Sequence, residues 1–301
     1  MSSAPRLFLI DGHAYLYRAY HAIPYLSTSK GIPTNATLGF TTMLWKILRE
    51  DAPEYIGVVF DSPGPTLRHQ AFEAYKENRP GMPPDLAQQI PWVKRTLVAS
   101  RITTMERPGY EADDLLAALA LSACKSVEVV LVTQDKDALQ LVGPRVRVLA
   151  LSGRAGERVV FDESKVEERW GVPPARIPDL LALIGDHVDN IPGVPGVGEV
   201  TAVKLLKQFG GLEALYQSLP LVGNAKLREA LARHRDQVFQ ARDLIRLADV
   251  PDLDATIEQF RRQEPDWKAL RALWEELQLS SLLKSLPGRE DEGDSAVSTN
   301  E

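Results

Sequence analysis

The chain is short of cysteine, of long apolar runs and of net positive charge. Cys124 is the only cysteine in 301 residues, which excludes a disulfide framework and a thiolate zinc site. Set among Leu and Ala on an expected helix, it reads as core and not as a reactive thiol. No apolar run approaches the roughly 18 residues of a membrane span. The N-terminus, MSSAPRLFLIDG, lacks the apolar stretch of a secretory signal. A cytoplasmic protein with no membrane partner is expected. There is no G-x-x-x-x-G-K-[ST] phosphate loop, and no Ser–His–Asp arrangement stands out. The string GVPGVGEV (193–200) follows a turn and not a strand, which removes a dinucleotide-binding reading.

The formal net charge of −6 argues at first sight against a polyanionic partner. Its distribution says otherwise. The stretch Pro287–Glu301 carries five acids and one Arg, and its Gly, Ser, Asp and Glu content reads as a disordered acidic tail. Without it the body is −2, and without the nine acids discussed below the remainder is +7. A basic frame around a cation-filled centre can bind a phosphodiester backbone. With 44% apolar and 25% charged residues, the composition is that of a globular protein of one large or two medium domains.

Short β-rich runs alternate with helical patterns in the first half. Strands are expected at Leu7–Ile10, Tyr55–Phe60, Ile102–Met105, Val127–Val132 and Val146–Leu151, and helices at Ala14–His21, Thr37–Arg49 and from about Glu111. Such alternation implies an α/β fold, a mainly parallel sheet with helices on both faces. The fully apolar runs LFLI and VVLV suit strands buried on both sides. Beyond about residue 176 only helices are expected: Ile177–Ile184, Val200–Phe209, Leu212–Leu219, Asn224–Leu247 and Asp266–Leu277. Residues 62–84 form a polar, proline-rich, basic excursion with one short helical pattern (Leu67–Tyr75). Long insertions of this kind are functional or disordered.

Acids fall where the strands end. Asp11 follows LFLI, Asp61 follows VVF, and Asp135 and Asp137 follow VVLVTQ. In GYEADDLLAALA (109–120), Glu111, Asp113 and Asp114 open a helix. Acids in a first turn complement the helix dipole, but three so close repel one another. In an open parallel sheet the C-terminal strand ends share one edge, where ligands bind. A lone Asp after a strand is as readily a cap or turn former; four groups on one rim point to a site. Asp186 and Asp189 in GDHVDNIPGVPGVG, three apart, form a fifth group whose plain reading is a turn. His187 beside them reads as a surface residue, and His13 as shaping the turn after Asp11. Converging carboxylates need compensating positive charge. An all-oxygen set selects Mg²⁺ or Mn²⁺, and so many acids exceed one ion's needs, which favours two.

The segments LIDGHAYLYRAYHA, VVFDSPGPTLRHQAFEAYKENRPGMP, GYEADDLLAALA, VTQDKDALQLV and GDHVDNIPGVPGVGEVTAVKLL closely resemble the 5′-3′ exonuclease domain of bacterial DNA polymerase I, a part of the flap endonuclease family. The match runs in family order from about Arg6 to about Leu286. The resemblance implies a PIN-like nuclease core over 1–175 with a helical arch at about 62–90, and a helix-three-turn-helix DNA-binding region over 176–286. The acidic tail is 287–301. It implies cleavage of 5′ flaps, nicks and 5′ ends of DNA with divalent metal. One metal group would be Asp11, Asp61, Glu111 and Asp113, with Asp114 adjacent and binding through water. The other would be Asp135, Asp137, Asp186 and Asp189.

The resemblance also assigns Lys76 and Arg79 to the scissile phosphate and Tyr75 to an unpaired base, against a plain reading of Tyr75 and Phe72 as core. Arg18 would reach the same rim, or serve a structural ion pair. Gly193, Gly196 and Gly198 would let a backbone approach, with K⁺ held by carbonyls of the hairpin and Lys204 and Lys207 extending the patch toward duplex. Val200 and Val188 depart from the family pattern of a Lys and a small polar residue. The chain ends after the nuclease part, so a monomeric free-standing exonuclease or a fragment is expected, with any polymerase partner unspecified. Rival readings are a non-catalytic branched-DNA binder and a PIN-type ribonuclease. A phosphatase is disfavoured, because D-G-H and not D-x-D follows the first strand.

Overall fold

The computed structural model describes residues 4–152 and 157–286. The tail expected over 287–301 lies outside the described residues. The elements are β1 (Arg6–Asp11), α1 (Gly12–Ala22), α2 (Asn35–Glu50), β2 (Tyr55–Val59), α3 (Leu67–Ala71), α4 (Pro84–Ala87), α5 (Ile90–Ala99), β3 (Thr103–Met105) and α6 (Ala112–Ala123). There follow β4 (Glu128–Val132), β5 (Val146–Ser152), β6 (Glu157–Phe161), α7 (Glu163–Trp170), α8 (Ile177–Ile184), α9 (Glu199–Phe209), α10 (Leu212–Gln217), α11 (Ala225–Arg233), α12 (Arg235–Ile245), α13 (Trp267–Glu276) and α14 (Ser280–Leu283).

The sheet has the order β3-β2-β1-β4-β5-β6. Strands β2, β1, β4 and β5 run parallel, and β6 returns antiparallel to β5. In β1 and β2 nearly every residue is buried, with Leu7, Leu9, Ile56 and Val58 at most 1% exposed. Each such side chain contributes about 1.5–3 kcal/mol by leaving water. Parallel registry of β1 with β2 and β4 brings the C-terminal ends of these strands to one edge. Asp11 closes β1, and the chain leaves β2 and β4 toward Asp61 and Asp135.

The chain forms two compact units. The first comprises residues up to Tyr15, Pro53–Gly81 and Thr104–Arg261. One hydrophobic core runs through it, from sheet residues such as Leu9 and Leu131 to Leu180, Leu206 and Ile245 of the helices beyond. Helix α6 packs on β1 and β4, and α8 on α9 and α12. The second unit comprises Leu16–Ala52, Met82–Thr103 and the chain from Arg262. Its core gathers Leu270, Leu273 and Trp274, with Trp45 stacked on Trp267 at 5.4 Å.

Some elements depart from expectation. The run Asn224–Leu247 is two helices, broken at His234, whose φ of −102° and ψ of 16° end one and start the next. Strand β6 and helices α5 and α7 were not foreseen; β6 is only half-buried and carries no clean alternation. The excursion after β2 is not one long helix among the described residues. It holds the five-residue α3, then turns through 73–79.

Gly193 sits with no room for a side chain. A Cβ there would collide with the carbonyl group of Ile184 and with Gly185 N at 2.5 Å, all backbone. Its small size therefore serves packing within the chain, not the approach of a foreign backbone. Gly193→Ala is expected to destabilise the protein by more than about 2 kcal/mol, since backbone atoms cannot step aside as a side chain does. Denaturant unfolding measures it, and an unchanged midpoint would contradict the contact. Gly196 is different: its φ of +82° calls for glycine, while the space around its Cβ position is open.

Candidate active site

The acids at the sheet edge are held by local geometry. Asp11 accepts from Ala14 N (3.0 Å) and from the Thr133 hydroxyl (3.0 Å), and is 6% exposed. Asp61 accepts from Ala112 N (2.8 Å), with His13 Nδ1 3.2 Å from its other oxygen. His13 thus holds the turn after β2 and not the one expected after Asp11, where the chain enters α1 directly. Glu111 is the N-cap of α6 and Asp113 lies in its first turn. Asp135 caps the 3₁₀ turn Lys136–Leu141 through Asp137 N (2.8 Å). Asp186 and Ile191 form an antiparallel bridge that closes the loop carrying Asp189.

These carboxylates act on one another. Burial, followed by the charges of Asp61 and Asp135, pushes the Asp11 carboxyl up to about 6 against the N–H of Ala14 and the Thr133 hydroxyl. Burial and then Asp135, Asp11 and Asp61 drive Asp113 well above the ordinary carboxylate range. Asp135 is raised by burial and by Asp189 and Asp186. Asp137 is raised well above its usual value by burial and by Asp135, Asp189 and Asp186. For Asp61 burial acts upward too, but the His13 ring, Ala112 N–H and Lys76 outweigh it and hold the group low. The acids scattered over residues 11–189 therefore meet in one region.

A carboxyl raised in the folded state binds its proton more tightly there than in the unfolded chain. Stability from Asp11 is then lost as pH rises through about 6 and regained as pH falls toward the unfolded value of 3.8. In chelator, the melting temperature is expected to rise between pH 7.5 and 5.5; a steady fall across that window would contradict the burial of this group.

Positive side chains stand among the acids. Lys76 Nζ lies 2.8 Å from Glu111 Oε1 and 3.9 Å from Asp189 Oδ2. Arg79 pairs with Asp189, and Lys136 Nζ with Asp186 Oδ1 at 2.9 Å. The Tyr75 hydroxyl lies 3.1 Å from Glu111 and 3.2 Å from Asp189, and Lys76 Nζ stands 4.8 Å from the centre of its ring. Burial, then the charges of Glu111 and Asp189, push the Tyr75 phenol far above its ordinary value. The backbone joins in: Lys76 N donates to Asp189 O, Asn78 Nδ2 to His187 O, Asn190 Nδ2 to Ala74 O and Arg79 Nε to Val188 O. Lys76 and Asn190 both adopt left-handed backbone, φ +57° and +58°.

Two placements differ from expectation. Tyr75 is 3% exposed, so its ring is core in this conformation and is not offered to a base. Asp114 does not join the cluster. Both its oxygens are taken by Arg68 at 2.8 Å, and also by Ala248 N and Glu111 N. Sequence reading missed Arg68 and Lys136. The signal was available: a buried acid cluster calls for cations, and both lie inside the segments that carry the acids.

Arg18 is on α1 in the second unit, half-buried. Lys204 and Lys207 are exposed on α9. Gly198 is the N-cap of α9, with no side-chain cap for the helix's first N–H groups and open space beside it. Val188 and Val200 are 62% and 69% exposed. Cys124 ends α6, half-buried.

Among the described residues no three carboxylates or imidazoles stand together as the ligands of a single ion. Two carboxylate oxygens among the described residues nonetheless are buried without a hydrogen-bond partner: Asp113 Oδ1 and Asp137 Oδ1, one in each expected metal group. A buried polar atom left unpaired is costly and calls for an explanation. Together with the all-oxygen donor set, these orphans fit hard divalent cations. Lys76, Arg79 and Lys136 pair with Glu111, Asp189 and Asp186.

Comparison with known proteins identifies the family. The 5′-3′ exonuclease N-terminal resolvase-like domain matches residues 6–171, and the 5′-3′ exonuclease C-terminal SAM fold matches residues 172–268. The 5′-3′ exonuclease of Aquifex aeolicus (strain VF5) is 38% identical over 281 residues, 93% of this chain and 94% of that protein. DNA polymerase I of Bacillus caldotenax is 39% identical over 290 residues, 95% of this chain, but the chain spans only 33% of that polymerase. A solved structure of the bacteriophage T5 D15 flap endonuclease with DNA and metal ions superimposes with a TM-score of 0.67 at 21% identity, covering 93% of this chain and 97% of that one. The catalytic core of Rad2 with a DNA substrate gives 0.63 at 18%, covering 94% and 92%. Both structures share the fold, a PIN-like resolvase domain joined to a helical SAM-like region. With both domains matched in order and a near-full-length relative at 38% identity, this chain belongs to the 5′-3′ exonuclease family.

Proposed function

We propose that the chain is a structure-specific 5′-3′ exonuclease and 5′-flap endonuclease, hydrolysing DNA phosphodiester bonds at a centre of two Mg²⁺ or Mn²⁺ ions. The observation that carries this reading is the pair of orphaned oxygens on Asp113 and Asp137 within mutually repelling buried acids. Asp11, Asp61, Glu111 and Asp113 would hold one ion, and Asp135, Asp137, Asp186 and Asp189 the other. Bound there, such ions supply an activated water and stabilise the charge that develops on the phosphate.

The chain's own residues do the rest. Lys76 and Arg79 leave Glu111 and Asp189 to neutralise oxygens of the scissile phosphate. Tyr75, carried by the same segment, leaves its buried place when that segment opens, and its ring then stacks the terminal base. The uncapped N–H groups at the start of α9 take a backbone phosphate, with Lys204 and Lys207 extending the contact along duplex. Backbone carbonyls of the 193–198 hairpin hold K⁺, and Arg18 reaches the 5′ strand. Residues 1–175 serve catalysis, and 176–286 grip the duplex. Val200, where a basic residue would add a phosphate contact, weakens that grip by one charge. No helix among the described residues is long and apolar enough to cross a membrane, in keeping with a monomeric cytoplasmic protein acting on replication and repair intermediates.

A 5′-labelled flap incubated with and without Mg²⁺ tests this reading. Short 5′ products and flap-length products that need the metal are expected. Tight binding without cutting would favour a branched-DNA binder. Far better cutting of single-stranded RNA would favour a ribonuclease.

A further inference from the structure

The Arg68 guanidinium carries five N–H donors, and all of them are engaged. Nε donates to Leu244 O (2.7 Å). Nη1 donates to Asp114 Oδ2 (2.8 Å) and Glu111 Oε2 (3.2 Å). Nη2 donates to Asp114 Oδ1 (2.8 Å) and Arg246 O (2.9 Å). Asp114 is filled from its other side by Ala248 N (2.8 Å) and Glu111 N (3.1 Å). The pair is buried, its side chains 9% and 2% exposed. It joins three segments remote in sequence: α3, the first turn of α6, and the chain leaving α12.

Glu111 feels the consequence. Its Oε2 is held by Arg68 and by the Tyr75 hydroxyl (3.1 Å), while Oε1 is left to Lys76 Nζ. That ammonium also stands 3.9 Å from Asp189 Oδ2, which places Oε1 beside the acidic cluster. A carboxylate free to rotate would exchange its oxygens; the fork, together with the Tyr75 hydroxyl and the Lys76 ammonium, holds this one. We propose that Arg68 is a positioning residue, which fixes Glu111 so that one oxygen faces the acidic cluster and ties that orientation to residues 244–248. The proposal rests on the nuclease reading of the cluster. Lysine cannot substitute, because a point ammonium lacks the planar fork that spans Asp114 and Glu111 together.

The test is Mn²⁺ binding to the DNA-free protein, by titration calorimetry or by the spin resonance of free Mn²⁺. Arg68→Lys keeps the charge and is expected to weaken Mn²⁺ about tenfold, the scale for losing a group that orients a metal-binding carboxylate. The Mn²⁺ concentration for half-maximal flap cleavage should rise by a similar factor. Because Arg68 acts through Glu111, Arg68→Lys combined with Glu111→Gln should bind Mn²⁺ no more weakly than Glu111→Gln alone. Asp114→Asn, which keeps the side-chain shape, carries the same test if Arg68→Lys does not fold. Unchanged Mn²⁺ affinity in the single variants, or fully additive losses in the double variant, would overturn the proposal. Wild-type protein that binds no Mn²⁺ would overturn the nuclease reading itself, and the proposal with it.

Discussion

Asp113→Ala is expected to slow flap cleavage by about 10²–10³-fold, the cost of removing one group that stabilises the transition state, while leaving the protein folded and able to bind a 5′-flap substrate. The reason lies in what Asp113 does not do. Its Oδ1 is buried without a hydrogen-bond partner, and burial with the charges of Asp135, Asp11 and Asp61 raises its carboxyl far from its usual range. Alanine thus removes a buried, unpaired carboxyl from the metal-free protein. In chelator the variant should melt no lower than wild type. Asp186→Ala should lose cleavage similarly but with a stability cost, because Asp186 accepts from Val188 N (3.0 Å) and pairs with Lys136. Single-turnover cleavage, flap binding in Ca²⁺ and thermal melts measure these effects. Near-wild-type turnover in both variants would refute the assignment of the two acid groups.

Lys76→Ala should move two quantities in opposite directions. Lys76 pairs with Glu111 and reaches Asp189, so a divalent ion entering the cluster competes with its ammonium. Its removal should tighten Mn²⁺ binding by up to about fivefold, the worth of a modest ion pair. Cleavage at saturating Mn²⁺ should nevertheless fall by about 10²-fold, because a cation no longer meets the charge growing on the phosphate. Flap affinity should change much less than the rate. Tighter metal with unimpaired cleavage would make Lys76 only a counter-ion of the resting site. A large loss of duplex binding with a normal rate would make it only an anchor.

The parallel sheet and its acid-bearing edge were legible because apolar runs followed by Asp leave little choice. Leu7–Ile10 could only be a doubly buried strand, and its end carries Asp11 to the rim. What could not be read was direction. Asp113 and Asp114 are neighbours in sequence, but one step along a helix turns a side chain by about 100°. One therefore faces the cluster, and the other closes on Arg68. Tyr75 was ambiguous for a related reason, since an aromatic at helical spacing serves a core or a ligand equally well. It is buried here, with its hydroxyl against Glu111 and Asp189. The break at His234 had no Pro or Gly to announce it. The edge strand β6, ERVVF, is short and shows no clean alternation, so it could not be told from a loop.

The stitching of residues 74–79 to 187–190 bears on kinetics. Ala74, Lys76, Asn78 and Arg79 each bond to that neighbouring loop, and the same stretch supplies the cations that sit on Glu111 and Asp189. Parting the loops and unveiling the carboxylates are then a single event. Whatever arrives must wait for the molecule to breathe, so the onset of the first turnover should level off with rising ligand concentration instead of tracking encounter.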